Sequence, residues 1–286
     1  MIFDRIAILD WSAARGPKKG KDSIWLSEAS QDGCTARNIA TRRAAEDALS
    51  DLITDCLQRK HRLLLGADFA FGAPKGLITH LTGQKNALSW WAWLADRVSD
   101  STDHRSNYRQ IAAEMNRLFP GAGPFWGNGE ASQIPDLPRL KPALPPGLAE
   151  HRVTDLAARG QGSAPKPVWQ LAGAGAVGAQ VLTGLPVLER LRHRFVGQVS
   201  VWPFELPTTA VVMAEVYPSL LSTAVKAHCH ATGMVTDEAQ VRLLAKALHR
   251  IGPTALARFF ANGSICPEEG WILGTGQADL LLQALD

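Results

Sequence analysis

Cysteine is scarce in this chain. Four thiols, Cys34, Cys56, Cys229 and Cys266, are scattered over 286 residues, and no CxxC pair occurs. That spacing excludes a zinc knuckle and a dense disulfide framework. No apolar run is long enough to cross a bilayer, and no basic leader precedes the first strand-like segment. The expectation is a cytoplasmic protein with reduced thiols and no membrane partner. GxSxG is absent, and no histidine is paired with an obvious Ser or Cys nucleophile. A Walker A loop is absent too: the spacing from Gly16 to Gly20 is one residue short, and Asp22 follows Lys21 where Ser or Thr is needed. No internal repeat is found.

What remains is ample material for a core. Apolar residues make up 46% of the chain and charged residues 20%, which fits one large globular domain or two ordinary ones. The net charge of +3 is compatible with a phosphate-bearing partner without requiring one.

Three segments run an apolar strand straight into a carboxylate. They are Ile6-Ala7-Ile8-Leu9-Asp10, Leu63-Leu64-Leu65-Gly66-Ala67-Asp68 and Val211-Val212-Met213-Ala214-Glu215. A buried strand does not tolerate an unpaired charge. An acid placed where the apolar run stops is suited to the mouth of a sheet, where it meets a cation or another acid.

Strands are predicted over residues 2–9, 23–29, 34–40, 63–67, 198–202 and 210–216, the first three antiparallel. Helices are predicted over 42–59, 87–98, 108–118, 186–194, 218–231, 238–251, 254–260 and 277–285. From Pro120 to Pro167 Gly and Pro are dense and periodicity is lost, which marks a loop-rich insertion that covers something rather than folding alone. A right-handed crossover through the first helix would lay 63–67 parallel to the first strand, with Asp10 and Asp68 at the same end.

Several motifs carry weaker messages. Arg15-Gly16-Pro17-Lys18-Lys19-Gly20-Lys21, with Ser12 upstream, hangs beside Asp10 and offers cations to phosphate oxygens, although a solvated basic hairpin has the same composition. Gly173-Ala174-Gly175-Ala176-Val177-Gly178 fits GxGxxG but lacks the strand before it and the ribose-binding acid after it. A small-residue turn lining a cleft, with Lys166 nearby, reads better. His228 and His230 stand two apart on a predicted helix and point to different sides. Of nine tryptophans, Trp90, Trp91 and Trp93 cannot share one helical face.

The order of these segments resembles the ribonuclease-H-like superfamily. More narrowly, the chain is similar to a group of predicted nucleases, the domain-of-unknown-function family four-two-nine. The segments that carry the likeness are Leu9-Asp10-Trp11-Ser12-Ala13, Gly66-Ala67-Asp68-Phe69-Ala70-Phe71-Gly72, the run 166–178, Val201-Trp202-Pro203-Phe204-Glu205 and Ala214-Glu215-Val216-Tyr217-Pro218-Ser219. The resemblance implies metal-ligating acids at Asp10, Asp68 and Glu215, and a fourth on a late helix at Asp237. Related chains often carry a further Asp where this one has Gln240.

The resulting expectation is a single α/β domain, 1–286, built on a ribonuclease-H-like mixed sheet flanked by helices, with residues 100–167 inserted. The expected activity is metal-dependent phosphodiester hydrolysis of nucleic acid or a nucleotide-like molecule. Asp10, Asp68, Glu215 and Asp237 would form the catalytic set. Mg²⁺ or Mn²⁺ would sit on Asp10, Asp68 and Glu215. Ser12, Arg15, Lys18, Lys19, Lys21 and Lys166 would hold the substrate. Two rivals stand beside it: an actin-like ATP-dependent phosphotransferase, which needs a second sheet module, and a non-catalytic nucleotide or nucleic-acid-binding protein.

Overall fold

The computed structural model describes residues 2–160, 164–263 and 266–285. Its centre is a six-stranded sheet. The chain opens with β1 (Arg5–Asp10), β2 (Ile24–Ser30) and β3 (Gly33–Ile39), paired antiparallel in sequence. The helix α1 (Arg42–Gln58) then crosses to β4 (Leu63–Ala67), which lies parallel to β1. Thr41 caps α1 by accepting the Ala44 N–H at 3.1 Å, as expected where a hydroxyl precedes a helix. Much later come β5 (Val199–Trp202) and β6 (Val211–Glu215), both parallel to β4, giving the order β3-β2-β1-β4-β6-β5.

Alternation along the strands divides the core into two layers. Ala7 and Leu9 of β1, Leu63, Leu65 and Ala67 of β4, and Val211 and Met213 of β6 face one layer. It holds α1, α3 (Ala87–Ala95), α4 (Tyr108–Asn116) and α6 (Gly178–Arg194). Ile6, Ile8, Leu64, Val212 and Ala214 face the other, with α7 (Ser222–Thr232), α8 (Thr236–Arg250) and α9 (Pro253–Ala261). Gly66 of β4 has no room for a side chain: a Cβ would stand 2.7 Å from Ile8 Cδ1 and from Val216 Cγ1. Trp90 and Trp91 are both fully buried, and Trp93 is half-buried under the Arg97 guanidinium.

Several elements depart from the expectation. α6 begins at Gly178, not at 186, and carries Pro186 in its interior. Proline forfeits a backbone bond there, but its neighbours Leu182, Leu185 and Leu188 are buried against the sheet, and packing outweighs propensity. The segment predicted as one helix from 218 is a 3₁₀ turn, Pro218–Leu221, followed by α7. Two short helices, α2 (Leu77–Thr82) and α5 (Val153–Arg159), lie where no helix is expected. Of the stretch 100–167, residues 161–163 lie outside the described residues. The rest is an ordered covering. The Asn116 side chain donates to the carbonyls of Phe125 (2.9 Å) and Asp136 (2.7 Å) and accepts the Phe125 N–H (2.8 Å), which replaces secondary structure as the source of backbone satisfaction. No helix of the described residues is long and apolar enough to cross a membrane.

Candidate functional site

β1 ends on Asp10, and Asp68 follows β4 directly. Leu9 pairs with Ala67 in the parallel ladder, and the Asp68 N–H donates to the Leu9 carbonyl at 2.9 Å. The ladder therefore extends one step past β4 and brings the two acids to adjacent strand ends. Glu215 ends β6, but its register partner is Ala67, one residue short of Asp68.

That single step sets the surroundings of each acid. Asp10 continues the alternation of Ile6 and Ile8 toward the layer of α8 and lines a hollow with Asp237, whereas Asp68, one step past β4, lines the neighbouring hollow together with Glu215. Glu215 continues Val211 and Met213 toward the opposite layer. There Arg152, at the start of α5, grips it: Arg152 Nη2 donates to Oε1 at 2.6 Å and Nη1 to Oε2 at 2.7 Å. The Phe71 N–H adds a bond of 2.9 Å to Oε2. Arg152 also binds Asp155 at 2.8 Å. Burial raises the Glu215 pKa against the pull of Arg152. Burial works to lower that of Arg152, but Asp155 and Glu215 outweigh it and keep the guanidinium charged. Glu215, expected among the ion ligands, is held in a buried salt bridge with Arg152 while still lining the Asp68 hollow.

Asp10 and Asp68 are in the reverse position. Among the described residues neither carboxylate accepts a hydrogen bond or forms an ion pair. Burial, then Asp68, then Asp237 and Asp22 push the Asp10 carboxyl well above the usual range. Burial, followed by Glu215 and Asp237, pushes Asp68 up to about 7. Asp10 and Asp68 are half-buried, and the fully buried acids among the described residues are satisfied. Glu189 binds Arg192 at 2.8 Å. Glu268 accepts the N–H groups of Gly76 and Thr79, and Glu269 those of Lys75 and Val153. Asp10 and Asp68 lack a partner, an arrangement that calls for a proton or a cation.

Asp237 lies in the first turn of α8, where acids are favoured by the helix dipole. Its Oδ2 accepts the Asp22 N–H at 2.6 Å. Burial raises its pKa, while the Asp22 N–H, Lys21 and Lys18 pull it back. Two hollows adjoin at this edge of the sheet. One, of about 350 Å³, is lined by Asp10, Asp22, Asp237 and Gln240; the other, of about 290 Å³, by Asp68, Glu215, Lys166 and Tyr217. Gly175 and Gln180 border both. The GxGxxG match is the turn between them: Gly173 and Gly175 have φ of +102° and +71°, which side chains resist, and it leads into α6.

The basic loop is split by its surroundings. The Ser12 hydroxyl donates to the Asp22 carbonyl at 2.9 Å and accepts the Ala14 N–H at 3.3 Å, so it staples its own loop while lining the Asp10 hollow. Lys18 pairs with Asp22 at 3.3 Å. Lys19 and Lys21 are exposed and carry no ion pair among the described residues. Arg15 turns away to Glu130 at 3.2 Å and lines a separate hollow with Arg109. Lys166 is exposed beside the Asp68 hollow, also without an ion pair among the described residues. His228 and Cys229 are half-buried and His230 exposed on α7, outside both hollows.

Among the described residues no three His, Cys, Asp or Glu side chains stand close enough to cage an ion. A closed, all-protein metal site is therefore a poor fit. The donors at hand are hard oxygens, which suit an ion such as Mg²⁺ that is held by one or two carboxylates and completes its shell with water and substrate phosphate. Arg152, Asp155 and Gln180 are the important residues that sequence reading misses. The signal for Arg152 is Glu215 itself, a buried strand-end acid that needs a cation. Comparisons with protein-family models, with curated proteins and with solved structures gave no match to this chain.

Proposed function

We propose that this chain is a metal-dependent phosphodiester hydrolase, nuclease-like, acting on nucleic acid or a nucleotide-like substrate. The observation that carries the reading is the partnerless pair Asp10 and Asp68 at adjacent strand ends, each driven upward in pKa by burial and neighbouring acids. Strongly perturbed carboxyls in a cleft mark functional sites. The antiparallel β1–β2–β3 unit continued by parallel strands supports a ribonuclease-H-like architecture.

In this reading Asp10 and Asp68 present carboxylate oxygens to Mg²⁺ or Mn²⁺, and Asp237 adds negative charge from α8. A bound divalent ion would polarise the phosphoryl oxygen and supply a nucleophilic water. Lys18 and Lys21, near enough to Asp237 to lower its pKa, attract the phosphate backbone, as does Lys166 from the other hollow. Arg152 and Glu215 hold α5 against β6 and keep the floor of the cleft rigid. The single sheet found among the described residues favours this reading over an actin-like phosphotransferase, which needs two.

The test is a hydrolysis assay on single-stranded, duplex and hybrid substrates with Mg²⁺ or Mn²⁺. Activity should vanish with EDTA and fall at least a hundredfold in Asp10→Asn. Full activity in that variant would defeat the site assignment. Binding of nucleotide or nucleic acid with no turnover would identify a binding protein instead.

A further inference from the structure

The hollow beyond Asp68 differs in kind from the one at Asp10. One wall is apolar, with Phe69, Val168, Val177 and Ile272 and Tyr217 at its side; the rest is polar, with the Arg152–Glu215 pair, Asp155 and Gln180. Phe69, Val168 and Ile272 are buried, so this wall belongs to the rigid core. Burial raises the Tyr217 pKa, and the nearby Ser219 hydroxyl pulls it back. Asp68 stands at the inner end and Lys166 at the rim. The volume is about 290 Å³, at the lower limit of small-molecule sites, which run from roughly 300 to 1,000 Å³.

A stacked duplex does not enter such a space, because its bases present only their edges in the grooves. A single unpaired base does. It exposes a π face that stacks on an aromatic ring and edges that meet hydroxyl and amide groups. Its phosphate then meets Lys166 at the rim, and the second hollow shares Gly175 and Gln180 with this one.

We infer that the Asp68 hollow is a subsite for one unpaired nucleotide unit, with the base against Tyr217 and the phosphate on Lys166. The inference rests on the hydrolase reading for the role of Asp68 but not for the binding itself. The unit is supplied either by a strand terminus or by a free nucleotide.

Three measurements decide it. Linear single-stranded DNA is compared with the same sequence as a covalently closed circle, in Mn²⁺. Trimming of the linear strand to mononucleotides with the circle intact is expected. Nicking of the circle at the same rate would overturn the inference and leave the hydrolase reading standing. Separately, binding of AMP, GMP, CMP and UMP is measured by titration calorimetry on the full chain. Tyr217→Ala should weaken binding about tenfold and Tyr217→Phe should restore it, as stacking requires. Lys166→Ala, at an exposed position, should weaken binding of nucleotide but not of nucleoside. Absence of nucleotide binding in the parent chain, or binding indifferent to Tyr217→Ala with the fold intact by circular dichroism, would overturn the inference whatever the hydrolysis assay returns.

Discussion

Arg152 and Glu215 meet through two parallel N–H···O bonds of 2.6 and 2.7 Å, buried beneath the cleft. Such a fork is the strongest geometry an arginine and a carboxylate can adopt. It joins the helix α5, inside the long insertion, to the end of the central strand β6. The insertion is thereby tied to the floor of the site and not merely draped over it.

Breaking this pair from one side should be costly. In Arg152→Met both Glu215 and Asp155 lose their cation. Loss of a buried partner typically costs about 3–5 kcal/mol, so chemical denaturation of Arg152→Met should show a drop of that size. Glu215→Gln should cost less, because Arg152 keeps Asp155. Equal losses in the two variants would contradict the assigned geometry.

The acid pair at Asp10 and Asp68 predicts a pH dependence of the opposite sign to that of an ordinary salt-bridged carboxylate. In the folded chain Asp68 keeps its proton up to about pH 7, whereas unfolded it releases it near pH 4. Between those values the folded state binds more protons, so stability falls as pH rises through that window. Metal-free protein should melt at lower temperature at pH 8 than at pH 5. Asp68→Asn should flatten the difference and raise the melting temperature at pH 8. A melting temperature in the variant that follows the parent's pH profile would refute the shift.

Added Mn²⁺ or Mg²⁺ should reverse that loss. A cation between the two carboxylates binds the folded chain alone and stabilises it by mass action. The thermal shift should be larger at pH 8 than at pH 5, where protons compete for the same oxygens. It should disappear in Asp10→Asn and persist in Lys166→Ala. An equal shift at both pH values would place the ion elsewhere.

Much of the architecture was legible in the chain. The continuous apolar run at 63–65 could only be a buried strand, and the crossover rule placed it beside β1 with Asp10 and Asp68 together. The helix start at Thr41 carried its own chemistry in a capping hydroxyl. What escaped was set by packing. α6 runs through Pro186 because its leucines are buried. α2 and α5 are too short for periodicity to show, and buried Glu268 and Glu269 accept the N–H groups at their N-termini.

Glu215 shows most plainly where the boundary lies. Its residues told that a strand ends in an acid, and local propensity needs nothing more. Whether that acid is free beside Asp68 depends on register and on what packs against it: Glu215 ends one step short of Asp68, borders the same hollow and is taken by Arg152. Register is fixed by side chains from distant segments fitting together, so no reading of the strand alone contains it. The sequence determined the strands, their order at the start of the sheet and the acids at their ends. The tertiary structure decided which acid is claimed by Arg152 and which two are left without a partner.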